Sequence, residues 1–165
     1  MIIGIDPGMD GAIATIGDDG LQLTVMPTVE VNGRRSINEP DLQVLLRSRV
    51  DQKPRVVIEL VSAMPSKGKE GEAKRGMGAT SAFSFGAGWG FIRGLCCGLG
   101  LSYTLVRPQE WQKLMLAGQA KGSEFLVASR LWPGIDWRKS TRARLPHDGK
   151  VDAALIAEWG RRAGL

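Results

Sequence analysis

Short apolar runs separated by turn residues predict β-structure at the start of the chain. Apolar and β-branched residues cluster at 2–5, 12–16 and 21–26, and the stretch 17–20, Gly-Asp-Asp-Gly, is typical of a hairpin turn. These runs predict three antiparallel strands. Residues 29–35 are polar and predict a loop, after which Ser36 or Asn38 is suited to cap a helix that ends near Val50.

The remaining pattern alternates between strand-like and helix-like segments. Residues 55–61 and 101–106 predict a fourth and a fifth strand, the fourth parallel to the first because a helix connects them. Apolar spacing predicts further helices at 79–101, from 107, at 123–132 and from about 149 to 162. The predicted fold is α/β: a five-stranded mixed sheet, antiparallel in its first three strands and then parallel, flanked by helices.

A ridge of small residues marks the most apolar predicted helix. Gly86, Gly90, Gly94 and Gly98 recur every four residues and so share one helix face, the glycine ridge. Such a face indicates close packing by another backbone, either in the core or across a dimer axis, and the sequence leaves both open. A membrane-spanning helix is the alternative, but Arg93 and the scattered Gly and Ser residues argue against it.

Length and composition predict one domain over residues 1–165, with a core of ordinary size. The formal charge of +5 makes an anionic partner plausible without separating nucleic acid from other surfaces. The chain begins with a predicted strand rather than a charged leader and apolar run, so we expect no secretory signal. Cys96 and Cys97 are adjacent in an apolar segment, which predicts buried thiols and a cytoplasmic location.

Two carboxylates lie where the predicted strands accept charge poorly. Asp6 ends the first strand just before Pro7 and Gly8, where open α/β sheets place their chemistry; the alternative is a simple turn. Glu59 has apolar neighbours on both faces of the fourth strand, where a charge is costly unless it is paired or bound to metal. The alternative for Glu59 is an exposed edge strand or a salt bridge to Arg55.

A third carboxylate lies on the apolar face of the last predicted helix. Leu155, Ile156 and Trp159 follow Asp152 at spacings of three, four and seven, so Asp152 faces the core. Asp148 lies one turn earlier on the same face, although an aspartate at that position is also a good N-cap.

Hard carboxylate oxygens without a matching set of cysteines or histidines suit Mg²⁺ or Mn²⁺. Two such ions, about 4 Å apart, can hold the attacking and leaving oxygens of a phosphoryl displacement. The acids therefore predict a two-ion Mg²⁺ site, with Mn²⁺ as a substitute, formed by Asp6, Glu59, Asp148 and Asp152.

Basic segments supply candidate phosphate contacts. One follows Glu59 directly, a second surrounds Trp137, and a further lysine is expected near the amino end of the helix that begins at 107. Solvated mixed-charge loops are the alternative for both segments. The DNA-binding candidates are Lys67, Lys69, Lys74, Arg75, Lys113, Arg138, Lys139, Arg142 and Arg144.

Three motifs and one further segment, distributed over nearly the whole chain, resemble those of a known family. Residues 4–8 (Gly-Ile-Asp-Pro-Gly), 57–59 (Val-Ile-Glu) and 147–155 (His-Asp-Gly-Lys-Val-Asp-Ala-Ala-Leu), together with 107–111 (Arg-Pro-Gln-Glu-Trp), resemble the RuvC family of Holliday junction resolvases in the ribonuclease H-like superfamily. The resemblance implies a homodimer that binds four-way DNA junctions and nicks two strands symmetrically with Mg²⁺, in DNA recombination and repair.

One position departs from that family's pattern. Many relatives have an acid or a histidine three residues before the last aspartate, and here that position is Gly149. Asp148 or His147 must then complete the site. His147 could also orient or deprotonate water, or lie at the surface without a catalytic role.

Two other functions compete with resolution. Actin-like and sugar-kinase ATPases share the opening strand, aspartate and glycine turn, but they need two such domains around a cleft. A branched-DNA-binding protein without catalysis is the non-enzyme alternative. Tight ATP binding would favour the first, and junction binding without cleavage would favour the second.

Overall fold

Residues 1–61 and 78–165 are described by a computed structural model, and a five-stranded sheet lies at their centre. The strands of the described residues are β1 (Ile2–Asp6), β2 (Ala12–Gly17), β3 (Gly20–Val25), β4 (Thr28–Val31), β5 (Arg34–Ile37), β6 (Arg55–Glu59) and β7 (Tyr103–Val106). The strand order in the five-stranded sheet is β3-β2-β1-β6-β7; the β3-β2 and β2-β1 pairs are antiparallel, and the β1-β6 and β6-β7 pairs are parallel. The predicted fold class is confirmed.

Helices begin where the sequence offers a cap or an early proline. Asn38, not Ser36, caps the first helix, and its side chain accepts a hydrogen bond from the backbone of Asp41 at 3.3 Å. Pro108 lies in the first turn of the third helix, where a missing N–H costs nothing. The helices are α1 (Glu39–Arg47), α2 (Ala79–Gly98), α3 (Pro108–Met115), α4 (Glu124–Leu131) and α5 (Asp148–Arg162), with a short 3-10 turn at Val50–Gln52.

The prediction of a loop at 29–35 is wrong. Strands β4 and β5 pair there as a separate hairpin, with Val31 opposite Arg34. The two turn residues, Asn32 and Gly33, have φ values of 52° and 71°. Asn-Gly is a favoured two-residue hairpin turn because both positions need positive φ, so this local signal was present in the sequence.

The sheet separates two apolar cores. Ile3, Ile5, Val56 and Ile58 pack with α1 and α2 on one face. Residues that alternate with these, including Val57 of β6, pack with α3, α4 and α5 on the other face. Strand alternation therefore places Asp6 and Glu59 on the α5 side of the sheet.

The glycine ridge of α2 lies outside both cores. All four of its glycines are exposed, and a Cβ added at any of them would meet no atom of the described residues within 4 Å. The core interpretation of the ridge is therefore wrong for this structure.

Cys96 is buried but Cys97 is exposed, so only one of the two predicted buried thiols is confirmed. Among the described helices, none has the length and hydropathy of a membrane crossing.

Candidate active site

Three elements bring carboxylates to one edge of the sheet. Asp6 is the last residue of β1, and Glu59 is the last residue of the neighbouring parallel strand β6. Ile5 and Ile58 are paired in register, so the two acids follow at the same edge. Asp152 reaches this edge from the amino-terminal part of α5, which packs across β1.

Glycines allow α5 to lie directly on the strand and on the loop after it. A Cβ at Gly4 would come closer than 3.0 Å to the Ala153 carbonyl and to the Ala157 amide. A Cβ at Gly149 would come equally close to the backbone of Asp10 and Gly11. Gly149 is therefore a packing position in this chain, and any side chain there would push α5 away from the Asp6 loop.

Burial raises the pKa values of all three acids, and neighbouring carboxylates add to this for Asp6 and Asp152. Burial raises the pKa of Asp6 to about 6; a hydrogen bond from Gly8 is the next largest effect and opposes it, and the charges of Glu59 and Asp10 add smaller increases. Burial and the charges of Asp6 and Glu59 raise the pKa of Asp152 to about 7. Burial also raises the pKa of Glu59. The fold thus concentrates negative charge at a partly buried edge, as expected for a functional site.

Hydrogen bonds hold two of the three acids. The backbone amide of Gly8 donates to Asp6 Oδ1 at 3.3 Å, and Trp111 Nε1 donates to Glu59 Oε1 at 2.9 Å. Within the described ranges, none of the three acids has a Lys, Arg or His partner within 4.0 Å. Their charge is therefore uncompensated by these residues.

The donor set fits a hard divalent cation in chemistry and charge. Three carboxyl groups with raised pKa values form a pattern that such a cation relieves. In residues 1–61 and 78–165, however, no three His, Cys, Asp or Glu side chains are close enough to enclose one ion as they stand. Binding therefore requires side-chain adjustment at this edge.

His147 and Asp148 occupy the start of α5. His147, rather than Asp148, is the N-cap: its Nδ1 accepts a hydrogen bond from the Lys150 amide at 3.2 Å. Burial and the charges of Lys139 and Lys150 lower the pKa of His147, which favours the neutral ring that can accept this bond. Asp148 is the first residue of the helix and is exposed, and its charge adds to the raised pKa of Asp152.

The connection from Asp136 to Pro146 lies beside the Asp6 loop. Lys139 Nζ is 3.5 Å from Asp10 Oδ1, which also accepts a 2.7 Å bond from Arg35. Arg138 forms two 2.9 Å hydrogen bonds with the Asp136 carboxylate. Four of the nine DNA-binding candidates lie in this connection.

The other candidates differ in availability. Arg142 and Arg144 are exposed and have no carboxylate within 4.0 Å in the described parts of the chain. Lys113 is exposed in the last turn of α3, not near its amino end as predicted. Four candidates lie outside the described residues: Lys67, Lys69, Lys74 and Arg75.

Sequence reasoning missed the tryptophans that contact Glu59. Trp111 bonds its carboxylate, and Trp89 Nε1 donates to its backbone carbonyl at 3.2 Å. Trp111 stands in a motif noted only for its resemblance, and Trp89 lies in the most apolar helix. Nothing in either local pattern indicates a partner 30 or 52 residues away.

No family model matches the chain, and no curated protein matches it. Among solved structures, it is similar to the Thermus thermophilus RuvC structure (17% identity, TM-score 0.49, covering 99% of this chain and 96% of that one). The same protein in complex with Holliday junction substrate has 15% identity and a TM-score of 0.48, with 99% and 95% covered.

A third solved structure is similar over most of both chains. It is the yeast mitochondrial Holliday junction resolvase Ydc2, with 14% identity, a TM-score of 0.54, and coverage of 98% of this chain and 77% of that one. At such low identity the likeness concerns the fold. This chain therefore shares its overall fold, built around the five-stranded mixed sheet, with the Ydc2 structure.

Proposed function

We propose that this chain is a metal-dependent endonuclease that resolves four-way DNA junctions and other branched DNA. The observation that carries the proposal is the convergence of Asp6, Glu59 and Asp152, each with a raised pKa, at one edge of a resolvase-like sheet. Fold alone does not imply function, because one fold hosts many chemistries. The function is therefore argued from the acidic edge, which is a specific site, and not from the fold.

The three acids are proposed to hold two Mg²⁺ ions, for which Mn²⁺ substitutes, and Asp148 is proposed as a fourth ligand. When bound, such ions polarise a phosphodiester and activate water. Asp6 and Glu59 enter from rigid strand ends, and Asp152 enters from a helix that is packed on the same strands. His147 holds the amino end of that helix through its cap and so supports the position of both aspartates.

DNA is proposed to approach over the Asp136–Pro146 connection. Lys139 links this connection to the loop that follows Asp6, and Arg142 and Arg144 remain available for phosphates. Lys113 and the segment with Lys67, Lys69, Lys74 and Arg75 are retained as further proposed contacts. This charge distribution supports binding of a phosphate backbone at the acidic edge.

The chain is further proposed to act as a homodimer through the glycine ridge. Two symmetric nicks need two active sites related by a twofold axis. The ridge is exposed and lies beside Phe83, which is 79% exposed, while the one charged residue of α2, Arg93, lies over the Trp89 ring at 4.4 Å. The ridge itself carries no side chains, and the Arg93 guanidinium beside it is engaged with the Trp89 ring. Free thiols at Cys96 and Cys97 are consistent with a cytoplasmic role in DNA recombination and repair.

The deciding experiment uses purified protein and a labelled mobile four-way junction, with matched duplex, in Mg²⁺ and in EDTA. Paired nicks in the junction that need Mg²⁺ support the proposal. Cleavage of duplex and junction at equal rates would contradict structure selectivity.

A non-catalytic junction-binding protein is the second candidate. It is favoured by one observation: among the described residues, the acids do not stand in ligand geometry. Tight junction binding with no cleavage in either Mg²⁺ or Mn²⁺ would establish it in place of the nuclease.

A further inference from the structure

Glu59 is held at two points by tryptophans from different helices. Trp111 of α3 donates its indole N–H to Glu59 Oε1 at 2.9 Å. Trp89 of α2 donates its indole N–H to the Glu59 carbonyl at 3.2 Å. The ladder between β1 and β6 has its last paired residues at Ile5 and Ile58, so these bonds hold the strand end beyond that pairing.

Trp111 has little freedom to place its N–H elsewhere. The side chain is 1% exposed and packs in the core between the sheet and α5. Its helix begins directly after β7, and Glu110 fixes this start by accepting a 3.1 Å bond from the Arg107 amide. Glu59 is paired with Val106, the last residue of β7. The helix that carries Trp111 and the acid are therefore attached to the ends of neighbouring strands.

The chemistry of the donor matters as much as its position. An indole N–H only donates, and it carries no charge. An Arg or Lys at this place would neutralise the carboxylate and compete with a cation for it. Trp111 instead fixes one oxygen and leaves the negative charge intact. The second oxygen, Oε2, accepts no hydrogen bond from any described residue.

We propose that Trp111 is a positioning residue for Glu59: its N–H fixes Oε1 so that Oε2 is presented to a divalent cation shared with Asp6 and Asp152. This inference rests on the metal site of the proposed function and adds the residue that orients one of its ligands. Outer partners of this kind typically change metal affinity by about tenfold to a hundredfold when they are removed.

The first test is Trp111→Phe in the full chain, which removes the N–H and keeps an aromatic ring. We expect Mg²⁺ affinity, measured by calorimetry without DNA, to fall about tenfold. The Mg²⁺ concentration for half-maximal junction cleavage should rise by a similar factor, while the rate at saturating Mg²⁺ falls less. The matched control is Trp137→Phe, because Trp137 is 6% exposed, lies in the same core and bonds no carboxylate of the described residues. Its Mg²⁺ affinity should match that of the wild type.

The second test needs no stable variant at position 111. In ¹⁵N-labelled wild type, the Trp111 indole resonance should shift during a Mg²⁺ titration. The dissociation constant fitted to this shift should equal the one measured by calorimetry. Glu59→Gln should also move this resonance, because the acceptor loses its charge. A tryptophan with a purely packing role would respond to neither change.

The outcomes separate the inference from the proposed function. If the wild type binds Mg²⁺ and cleaves junctions but folded Trp111→Phe binds Mg²⁺ equally well, the positioning role is wrong and the nuclease stands. A Trp111 indole resonance that does not shift at saturating Mg²⁺ would also contradict the positioning role. If the wild type binds neither Mg²⁺ nor Mn²⁺, the proposed metal site itself fails.

Discussion

At the scale of single residues, the site consists of acids whose ionised form the fold disfavours. Replacing any one with its amide removes a ligand charge and leaves the shape nearly unchanged. We expect Asp6→Asn, Glu59→Gln and Asp152→Asn each to reduce junction cleavage by more than about a hundredfold, because even the outer partners of metal ligands often matter by tens to a hundredfold.

Junction affinity of these variants should be equal or higher, since DNA is repelled by the acids that they lose. Cleavage assays and gel-shift titrations measure the two effects separately. Near-normal cleavage by any one variant would remove that residue from the ligand set.

The raised pKa values also predict how stability depends on pH without metal. The pKa values of Asp6 and Asp152 rise from 3.8 to about 6 and about 7, so the folded state holds these protons more tightly than the unfolded chain does. The resulting stabilisation is complete below pH 3.8 and is lost as pH rises towards 7.

The measurement is urea unfolding in EDTA across this pH range. The free energy of unfolding of the wild type relative to Asp152→Asn should fall with rising pH, by an amount on the order of 1–3 kcal/mol. Mg²⁺ should restore stability at neutral pH by binding the folded state. A difference between the two proteins that does not change with pH would contradict the raised pKa of Asp152.

The roles of His147 and Asp148 can be distinguished by mutation, because His147 caps α5 whereas Asp148 is exposed. His147→Ala should lower the free energy of unfolding by about 1 kcal/mol, as the loss of an N-cap does, and His147→Asn should restore it. Asp148→Asn should change stability little, raise the Mg²⁺ requirement and slow cleavage more than His147→Asn does. If His147→Asn is stable yet cleaves more slowly than Asp148→Asn, the ring takes part in the reaction beyond its cap.

At the scale of elements, the Asp136–Pro146 connection contains both engaged and available cations. Its ends are joined by a β-bridge between Arg138 and Pro146 and by a 2.8 Å bond from the His147 amide to the Trp137 carbonyl. Arg142 and Arg144 lie between these ends. The arrangement predicts different effects for arginines that are close in sequence.

We expect Arg142→Gln combined with Arg144→Gln to weaken junction binding and to flatten its dependence on salt. Each lost phosphate contact should lower the slope of log affinity against log salt by about 0.9. Arg138→Gln is the matched control, because Asp136 already engages that guanidinium and the slope should stay the same. Equal slopes for the wild type, the double variant and Arg138→Gln would mean that Arg142 and Arg144 contact no phosphate. The connection would then be a solvated loop.

At the scale of the whole molecule, the glycine ridge tests whether two copies associate through α2. The space around Gly90 and Gly94 is open: a Cβ at either position would meet no atom of the described residues within 4 Å, so we expect a leucine to fit there within its own chain. A glycine costs roughly 1 kcal/mol in a helix, so Gly90→Leu and Gly94→Leu should hold or raise monomer stability. Across a close twofold contact, the same side chains would separate the partners.

The expected result is a folded monomer that binds junctions but loses paired nicking, measured by analytical ultracentrifugation and a two-label junction assay. Gln43→Leu on the exposed side of α1 is the control for an added leucine and should stay dimeric. An intact, active dimer from both ridge variants would exclude the ridge as the interface.

The sequence alone determined the features that depend on neighbours along the chain. Alternation in β1 and β6 and the turn after Asp6 placed two acids at strand ends, and helical spacing placed Asp152 on the inner face of α5. The hairpin at 28–37 was also encoded locally, by Asn32-Gly33, although the prediction passed over it. Such features could be predicted because they follow from local geometry and burial.

Only the tertiary structure decided which distant groups meet. Trp111 contacts Glu59 across 52 residues, and Gly149 allows close packing against the Asp10 backbone. His147 caps α5 in place of Asp148, and the glycine ridge faces outward rather than into the core. These outcomes depend on how whole elements pack against one another, and a periodic pattern fixes the face of an element but not its neighbour.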